Sequence, residues 1–202
     1  MFVLTVDQRG SRRDVDRVED VLGRATSLLR PFERTAGDEM QAVSNDAEQT
    51  LDTALMLVQD GHWSVGIGVG AVDTPLPRST RAGRGPAFED ARDAVEAAKN
   101  SLTHIAVRGR DSAGAAEADA TVALLAILIA RRTDQGRIAV DTVRRLGSQS
   151  AVADELSISP QAVSQRLAVA GWQVERAARP VVARMLENAD RRSLGTGSED
   201  VR

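Results

Sequence analysis

Six residues in the last third of this sequence, Ser159, Gln161, Ala162, Ser164, Gln165 and Arg166, have the types and spacing to read a nucleic acid. A glutamine amide offers a donor and an acceptor side by side, which matches adenine. A serine hydroxyl can meet a base or a phosphate, and an arginine reaches guanine or the backbone. On a helix beginning at Pro160, Val163 and Leu167 point inward and turn Gln161, Ala162, Ser164, Gln165 and Arg166 outward, with Ser159 at its start. The surrounding stretch, Gln149–Leu167, reads QSAVADELSISPQAVSQRL. A helix-turn-helix needs a small residue where two helices meet, an apolar seal and a short turn. Ala153 supplies the first and Val152, Leu156, Ile158, Val163 and Leu167 the second. Ser157 stands where glycine often makes the turn, and Ser159 before Pro160 is a favoured way to open the second helix. The plainer alternative is a corner of two amphipathic helices with no role on DNA. Arg131, Arg132, Arg144 and Arg145 are candidate phosphate contacts or a solvated face, and Trp172 is expected in the core.

A second group could do metal or phosphate chemistry. Asp7 closes an apolar opening segment, and Asp38 sits in the turn-forming triplet Gly37-Asp38-Glu39. Carboxylates on neighbouring strands can hold Mg²⁺, which bridges phosphate oxygens and stabilises charge as a hydroxyl attacks. Turn chemistry alone also produces Gly-Asp-Glu. Arg78, Arg81 and Arg84 lie in a Pro/Gly/Ser loop and are candidate ligand-binding cations, although such a loop is more often simply solvated.

Charge is unevenly spread. The 202 residues carry a net −3, yet residues 1–130 hold 14 basic against 20 acidic residues while 131–192 hold 11 arginines against 7 acids. A basic segment on an acidic chain suits a nucleic-acid-binding unit attached to something with another job. There is no cysteine, which excludes a disulfide framework, a thiolate zinc site and a cysteine nucleophile, and there are only two histidines. The opening residues lack a basic, long apolar leader, and the run Val122–Ala130 is about half a membrane span. A cytoplasmic protein with no membrane partner is expected.

The elements that would position these groups follow from periodicity. Phe2–Val6 reads as a strand. Val15, Val18, Val21, Leu22, Ala25, Leu28 and Leu29 give a helical stripe ended by Pro31. A hairpin surrounds Gly37-Asp38-Glu39, a helix spans Ala47–Gln59, and Trp63–Val69 alternates with glycines, a strand pressed against something close. A helix from Pro86 to Asn100 and a short strand, Ile105–Val107, follow. The order predicts an α+β, ferredoxin-like domain over 1–112, an antiparallel sheet with helices on one face. Helices then fill 113–132, a connecting or dimerisation element apolar nearly all round, and 133–192, an all-α helix-turn-helix domain. Residues 193–202 are expected to be disordered.

At these residues a resemblance can be named. The Gln149–Leu167 stretch is similar to the helix-turn-helix of sigma factors and response regulators, and with the following AVAGW it resembles the C-terminal part of SatD-family proteins. Asp7, Ser11 and Arg12, the Gly37-Asp38-Glu39 hairpin, the VGIGVG strand and GPAFEDAR resemble the rest of that family, so the likeness covers most of the chain. SatD proteins imply no particular reaction. The placing of Asp7 and Asp38 also resembles the palm core of nucleotide cyclases, with Ala36 and Met40 departing from the full GGDEF motif. The reading expected is a DNA-binding transcription regulator, a homodimer, whose N-terminal domain senses a nucleotide or cyclic dinucleotide or serves to dimerise. The alternative is a Mg²⁺-dependent nucleotidyl- or phosphoryl-transfer enzyme with a DNA-binding domain attached.

Overall fold

Strand β1 (Phe2–Gln8) lies in the middle of a five-stranded sheet ordered β2-β3-β1-β4-β5. Its neighbours β3 (Glu39–Ser44) and β4 (Trp63–Val69) are both antiparallel to it. Strand β2 (Arg30–Ala36) pairs with the outer side of β3, and β5 (Ile105–Gly109) runs parallel to β4. The computed structural model describes residues 1–23 and 27–196. Eight α-helices complete it among those residues: α1 (Val18–Leu22), α2 (Ala47–Asp60), α3 (Pro86–Lys99), α4 (Ser112–Ala130), α5 (Asp134–Leu146), α6 (Gln149–Glu155), α7 (Pro160–Val169) and α8 (Trp172–Thr196). The molecule is therefore α+β with a mixed sheet.

The period of two decides which side of the sheet each residue serves. Phe2, Leu4 and Val6 of β1 and Val65, Ile67 and Val69 of β4 share one core with Leu51 and Leu55 of α2. Helices α4 and α8 complete that core through Val122, Leu125, Ile129, Val182 and Leu186. Each such side chain, fully removed from water, contributes roughly 1.5–3 kcal/mol. The opposite side is served by α3, whose Ala87, Phe88 and Ala91 pack on Val3 and Val43. Glycine makes that approach possible: a Cβ on Gly68 would lie 2.0 Å from the Ala87 carbonyl oxygen, and one on Gly66 2.3 Å from the Val95 nitrogen.

Several expectations are corrected. Helices cover both faces of the sheet, because α3 crosses over to bring β5 parallel to β4. The helix read from Val15 to Leu29 shrinks to Val18–Leu22, Val15 is 65% exposed, and Leu29 is also exposed. Its beginning is held in a loop by buried Gln8, whose Nε2 donates to the Val15 carbonyl at 2.7 Å and whose Oε1 accepts from the Arg17 amide at 2.9 Å. Ala25, part of the same stripe, lies outside the described residues. Pro31 falls within β2 rather than ending a helix, tolerable on an edge strand where no ladder donor is required. Helix α8 continues to Thr196, so residues 193–196 are helical, while 197–202 lie outside the described residues.

Helix α4 is, among the described residues, the one helix long and apolar enough to cross a membrane by length and composition. One side of it enters the sheet's core, while Leu124 is 67% exposed. On β5, the Val107 amide donates to the Asp119 carboxylate of α4 at 2.7 Å. That bond occupies an edge donor that would otherwise be open to another strand.

Helices α5, α6 and α7 form a second, smaller core from Ala139, Val140, Val143, Val152, Val163 and Leu167. Gly171, at φ +68°, turns the chain out of α7 beside Leu128 of α4. Helix α8 then returns, and its Val182, Ala183, Leu186 and Ala189 join the sheet's core.

Candidate functional site

The corner between α6 and α7 is built from short-range chemistry. Ser148 caps α6 by accepting from the Ala151 amide at 3.2 Å. Ser159 caps α7 in the same way through the Ala162 amide at 3.2 Å, with Pro160 at the first helical position. Between them Ser157 takes φ +52°, the left-handed conformation in which glycine is usual. The Ile158 amide returns to the Ala153 carbonyl at 3.0 Å and closes the turn. Val152, Ala153, Val163 and Leu167 are buried, and Leu156 and Ile158 pack against them.

That packing leaves the other side of α7 outward. Gln161, Ser164 and Gln165 are exposed, Ala162 and Arg166 are half-buried, and Ser159 is exposed at the helix start. Of the expected base-reading residues, Gln161, Ser164 and Gln165 thus share the accessible side, Ala162 and Arg166 lie at its margins, and Arg166 has no ion-pair partner among the described residues. The arginines read as phosphate contacts divide. Arg131 is exposed, and Arg145 pairs with Glu155 at 3.0 Å on the surface. Arg132 is buried and Arg144 is engaged internally, so neither is free for a phosphate.

What engages them is Glu175 of α8, fully buried. Its carboxylate accepts from Arg132 Nη2 at 2.5 Å, from Arg179 Nη2 at 2.6 Å, and from Arg144. Arg179 also pairs with Asp52 of α2, and Gln59 of α2 donates to Asp141 of α5 at 3.2 Å. The Arg144 guanidinium lies 5.5 Å from the ring centre of Trp172, which packs against the small core as expected. Burial alone would push the Glu175 carboxyl up. The hydrogen bond from Arg132 and the charges of Arg179 and Arg144 outweigh it and hold the group below the ordinary glutamate range. This cluster joins α2, α5 and α8 with the link that follows α4, and no local sequence pattern announced it.

Asp7 and Asp38 do come together. Both line a groove of 660 Å³ at the C-terminal end of β1, and Asp7 pairs with Lys99 Nζ at 3.0 Å. Burial raises the Asp7 carboxyl above the ordinary aspartate range against the pull of Lys99, and Asp38 and Glu39 push the same way. Glu39 is turned to Thr35, whose hydroxyl donates to it at 2.5 Å. Among the described residues no group of three acidic, histidine or cysteine side chains could hold a metal ion. A cation here would have two carboxylates and would need phosphate oxygens or water for the rest of its shell, which suits Mg²⁺ arriving with a phosphate ligand.

The cations of that groove are not the expected ones. Arg9, Arg12, Arg13 and Lys99 line it, and Arg78, Arg81 and Arg84 do not. The loop carrying the latter three leaves the opposite end of β4 and is fastened to edge strand β2. Ser79 donates to Glu33 at 2.5 Å, Arg30 donates to the Pro77 carbonyl at 2.7 Å, and Arg81 to the Thr35 carbonyl at 3.1 Å. Arg12 and Arg13 stand on a tight turn at Gly10, where the Arg13 amide donates to the Gly10 carbonyl at 2.8 Å. The arginine cluster directly after β1 was the signal available in the sequence.

Comparison with family models, with curated proteins and with solved structures finds no match to this chain. The functional reading therefore rests on the residues themselves.

Proposed function

We propose that the protein is a DNA-binding transcription regulator whose sheet domain senses a nucleotide-type ligand, and that α6 and α7 act as its helix-turn-helix. One observation carries this reading: the polar side of α7, with Gln161, Ser164 and Gln165, is exposed while its apolar side is sealed against α5 and α6. A helix of this size fits the major groove, where such side chains meet base edges. The left-handed turn at Ser157 and the serine cap of α7 support it. The same reading takes the chain as SatD-like, cytoplasmic and without a membrane partner. It takes β1, β3, β2 and β4, with α1 and α2, as the ferredoxin-like, palm-type unit, since their order β4-β1-β3-β2 is that of a βαββαβ fold. A homodimer would present two α7 helices about one DNA turn apart. The exposed Leu124, Val174 and Val181, along α4 and α8, are the surface on which it would form.

Fluorescence anisotropy of the full chain on a selected duplex and on random duplexes tests the reading. Gln161→Ala/Gln165→Ala is expected to retain the fold and to lose the preference for the selected duplex. Equal preference in variant and wild type, or no duplex binding at low salt, overturns it.

A second reading has its own observation, the shared groove of Asp7 and Asp38. Here the two carboxylates would hold Mg²⁺ on a nucleoside triphosphate for phosphoryl or nucleotidyl transfer, with Arg12 and Arg13 on the phosphates. Incubation with Mg²⁺ and each nucleoside triphosphate decides it: product that disappears in Asp38→Ala supports an enzyme, and no product rejects one.

A further inference from the structure

Two cavities meet at the C-terminal end of β1, and Arg9 and His104 line both. The first is the 660 Å³ polar groove of Asp7, Asp38, Arg12, Arg13 and Lys99. The second, of 270 Å³, lies between the end of α2, the start of β4, the loop after α3 and the last turns of α4. Its walls include Val58, Trp63, Leu102, Ile127 and Ala130, with Arg131 also lining it. Together they match the size of ordinary small-molecule sites, typically about 300–1,000 Å³.

The segment dividing the two cavities has features that packing does not explain. Leu102 is 92% exposed beside an apolar cavity. His104 takes φ +52°, and its Nδ1 is buried and makes no close hydrogen bond, facing the Ala98 backbone. Strain of this kind in a residue other than glycine clusters at ligand sites. Both belong to the five-residue link between Lys99, at the end of α3, and Ile105, at the start of β5.

Charge sets the chemistry of one end. Arg9, Arg12, Arg13 and Lys99 line the polar groove with Asp7 and Asp38; Lys99 is shared between Asp7 and Glu96, whereas Arg12 and Arg13 have no acidic partner among the described residues. That excess suits a multiply charged anion, which guanidinium groups bind with paired donors. The other end offers apolar walls with Arg131 beside them, and with Arg9, shared between the two cavities, held to the Gly61 carbonyl at 3.0 Å. Guanidinium planes stack on flat rings, so this half suits a planar base better than a flexible chain.

We propose that a nucleoside polyphosphate binds across this groove, with its phosphates on Arg12, Arg13 and Lys99 and its base between Leu102 and Ile127 of α4. This rests on the ligand-sensing half of the function proposed above and names the site. It also gives the ligand a route to the DNA-binding helices. The base touches the last turns of α4, and Arg132, just beyond that helix, enters the Glu175 cluster that fastens α5 and α8.

The test uses the full chain without DNA, by thermal shift and titration calorimetry. The probes are ATP and GTP with Mg²⁺, inorganic triphosphate, and the two nucleosides alone. At least one nucleotide is expected to stabilise the protein and to bind more tightly than triphosphate. Arg12→Ala/Arg13→Ala should weaken nucleotide and triphosphate alike by about tenfold or more, the scale of one lost charge-assisted hydrogen bond. Leu102→Ser, at an exposed position that folding does not need, should weaken the nucleotide and leave triphosphate unchanged. The proposal is overturned if neither nucleotide stabilises the protein at about millimolar concentration, a level that would already detect weak sites. It is equally overturned if the arginine variant keeps its affinity, or if triphosphate binds as well as the nucleotides. Nucleotide binding by a chain that ignores DNA would sink only the regulator reading. DNA binding by a chain that no nucleotide stabilises would sink this proposal and the sensing half it rests on, and would leave the DNA-binding reading standing.

Discussion

Glu175, buried near the start of α8, accepts a 2.5 Å hydrogen bond from Arg132, two residues beyond the end of α4. Arg179 and Arg144 crowd the same carboxylate. Removing its charge leaves three guanidinium groups facing one another with too little anion between them. Glu175→Gln is therefore expected to cost about 3–5 kcal/mol, the usual consequence of breaking a buried ion pair from one side. Urea unfolding measures it, and a loss below about 1 kcal/mol would show that the cluster is not a fastening.

The same group makes stability depend on acid. Glu175 is held below the ordinary glutamate value of 4.5, so the folded protein binds its proton less readily than the unfolded chain. Its contribution is complete above that value and is lost as pH falls through the lowered one. Asp7 works the other way: raised by burial, its protonated form favours the folded state, and that contribution disappears as pH rises through the raised value. Urea midpoints taken from about pH 6 down to about pH 3 should fall for wild type and fall less for Glu175→Gln. Parallel curves for the two proteins would contradict the assignment.

The seat of α3 on the sheet gives a sharper packing test. Gly68→Ala would set a methyl group 2.0 Å from the Ala87 carbonyl oxygen, and backbone cannot retreat as a flexible side chain can. A loss of about 3 kcal/mol, at the upper end of ordinary overpacking, is expected. Gly23→Ala, where a Cβ meets nothing within 4 Å among the described residues, should stay within about 0.5 kcal/mol of wild type. Thermal unfolding of the two variants side by side checks the contrast.

At the turn between α6 and α7 the expected sign is reversed. Ser157 holds φ +52°, a conformation that favours glycine. Ser157→Gly should stabilise by up to about 1 kcal/mol, reduced by the greater freedom of glycine in the unfolded chain. Ser157→Val should destabilise by about 1–2 kcal/mol, the cost of left-handed backbone for a β-branched residue. A stabilising valine would mean that the turn adopts another conformation in solution.

What the sequence revealed depends on the range of the interaction. The glycine side of β4 and the sealed corner of Ala153, Val163 and Leu167 were legible because each is written within a few residues, in a period of two or in helical spacing. The parallel placement of β5 was not, because it depends on which face α3 crosses. The long helix expected from Val15 failed for a similar reason: Gln8, well before it in sequence, captures the Val15 and Arg17 backbone. That Asp7 and Asp38 would lie near one another was legible from strand ends and turn chemistry, and both line one groove. Arg12 and Arg13 were passed over for Arg78, Arg81 and Arg84, since arginines in a polar loop look alike until the fold says which loop borders the acidic pair. Glu175 and Arg132, 43 residues apart, carry no local sign of each other.

The return of α8 under the sheet has a consequence for any attempt at dissection. A fragment cut after Arg132 would keep α5, α6 and α7 but strip Val182, Leu186 and Ala189 of the neighbours that keep them dry. It would also lose Arg132, one of the three arginines on Glu175, and leave Arg144 and Arg179 to share that carboxylate. Whatever such an excised piece did to DNA would be confounded by a newly wetted oily stripe, so the intact polypeptide is the only fair reagent for asking what α7 recognises.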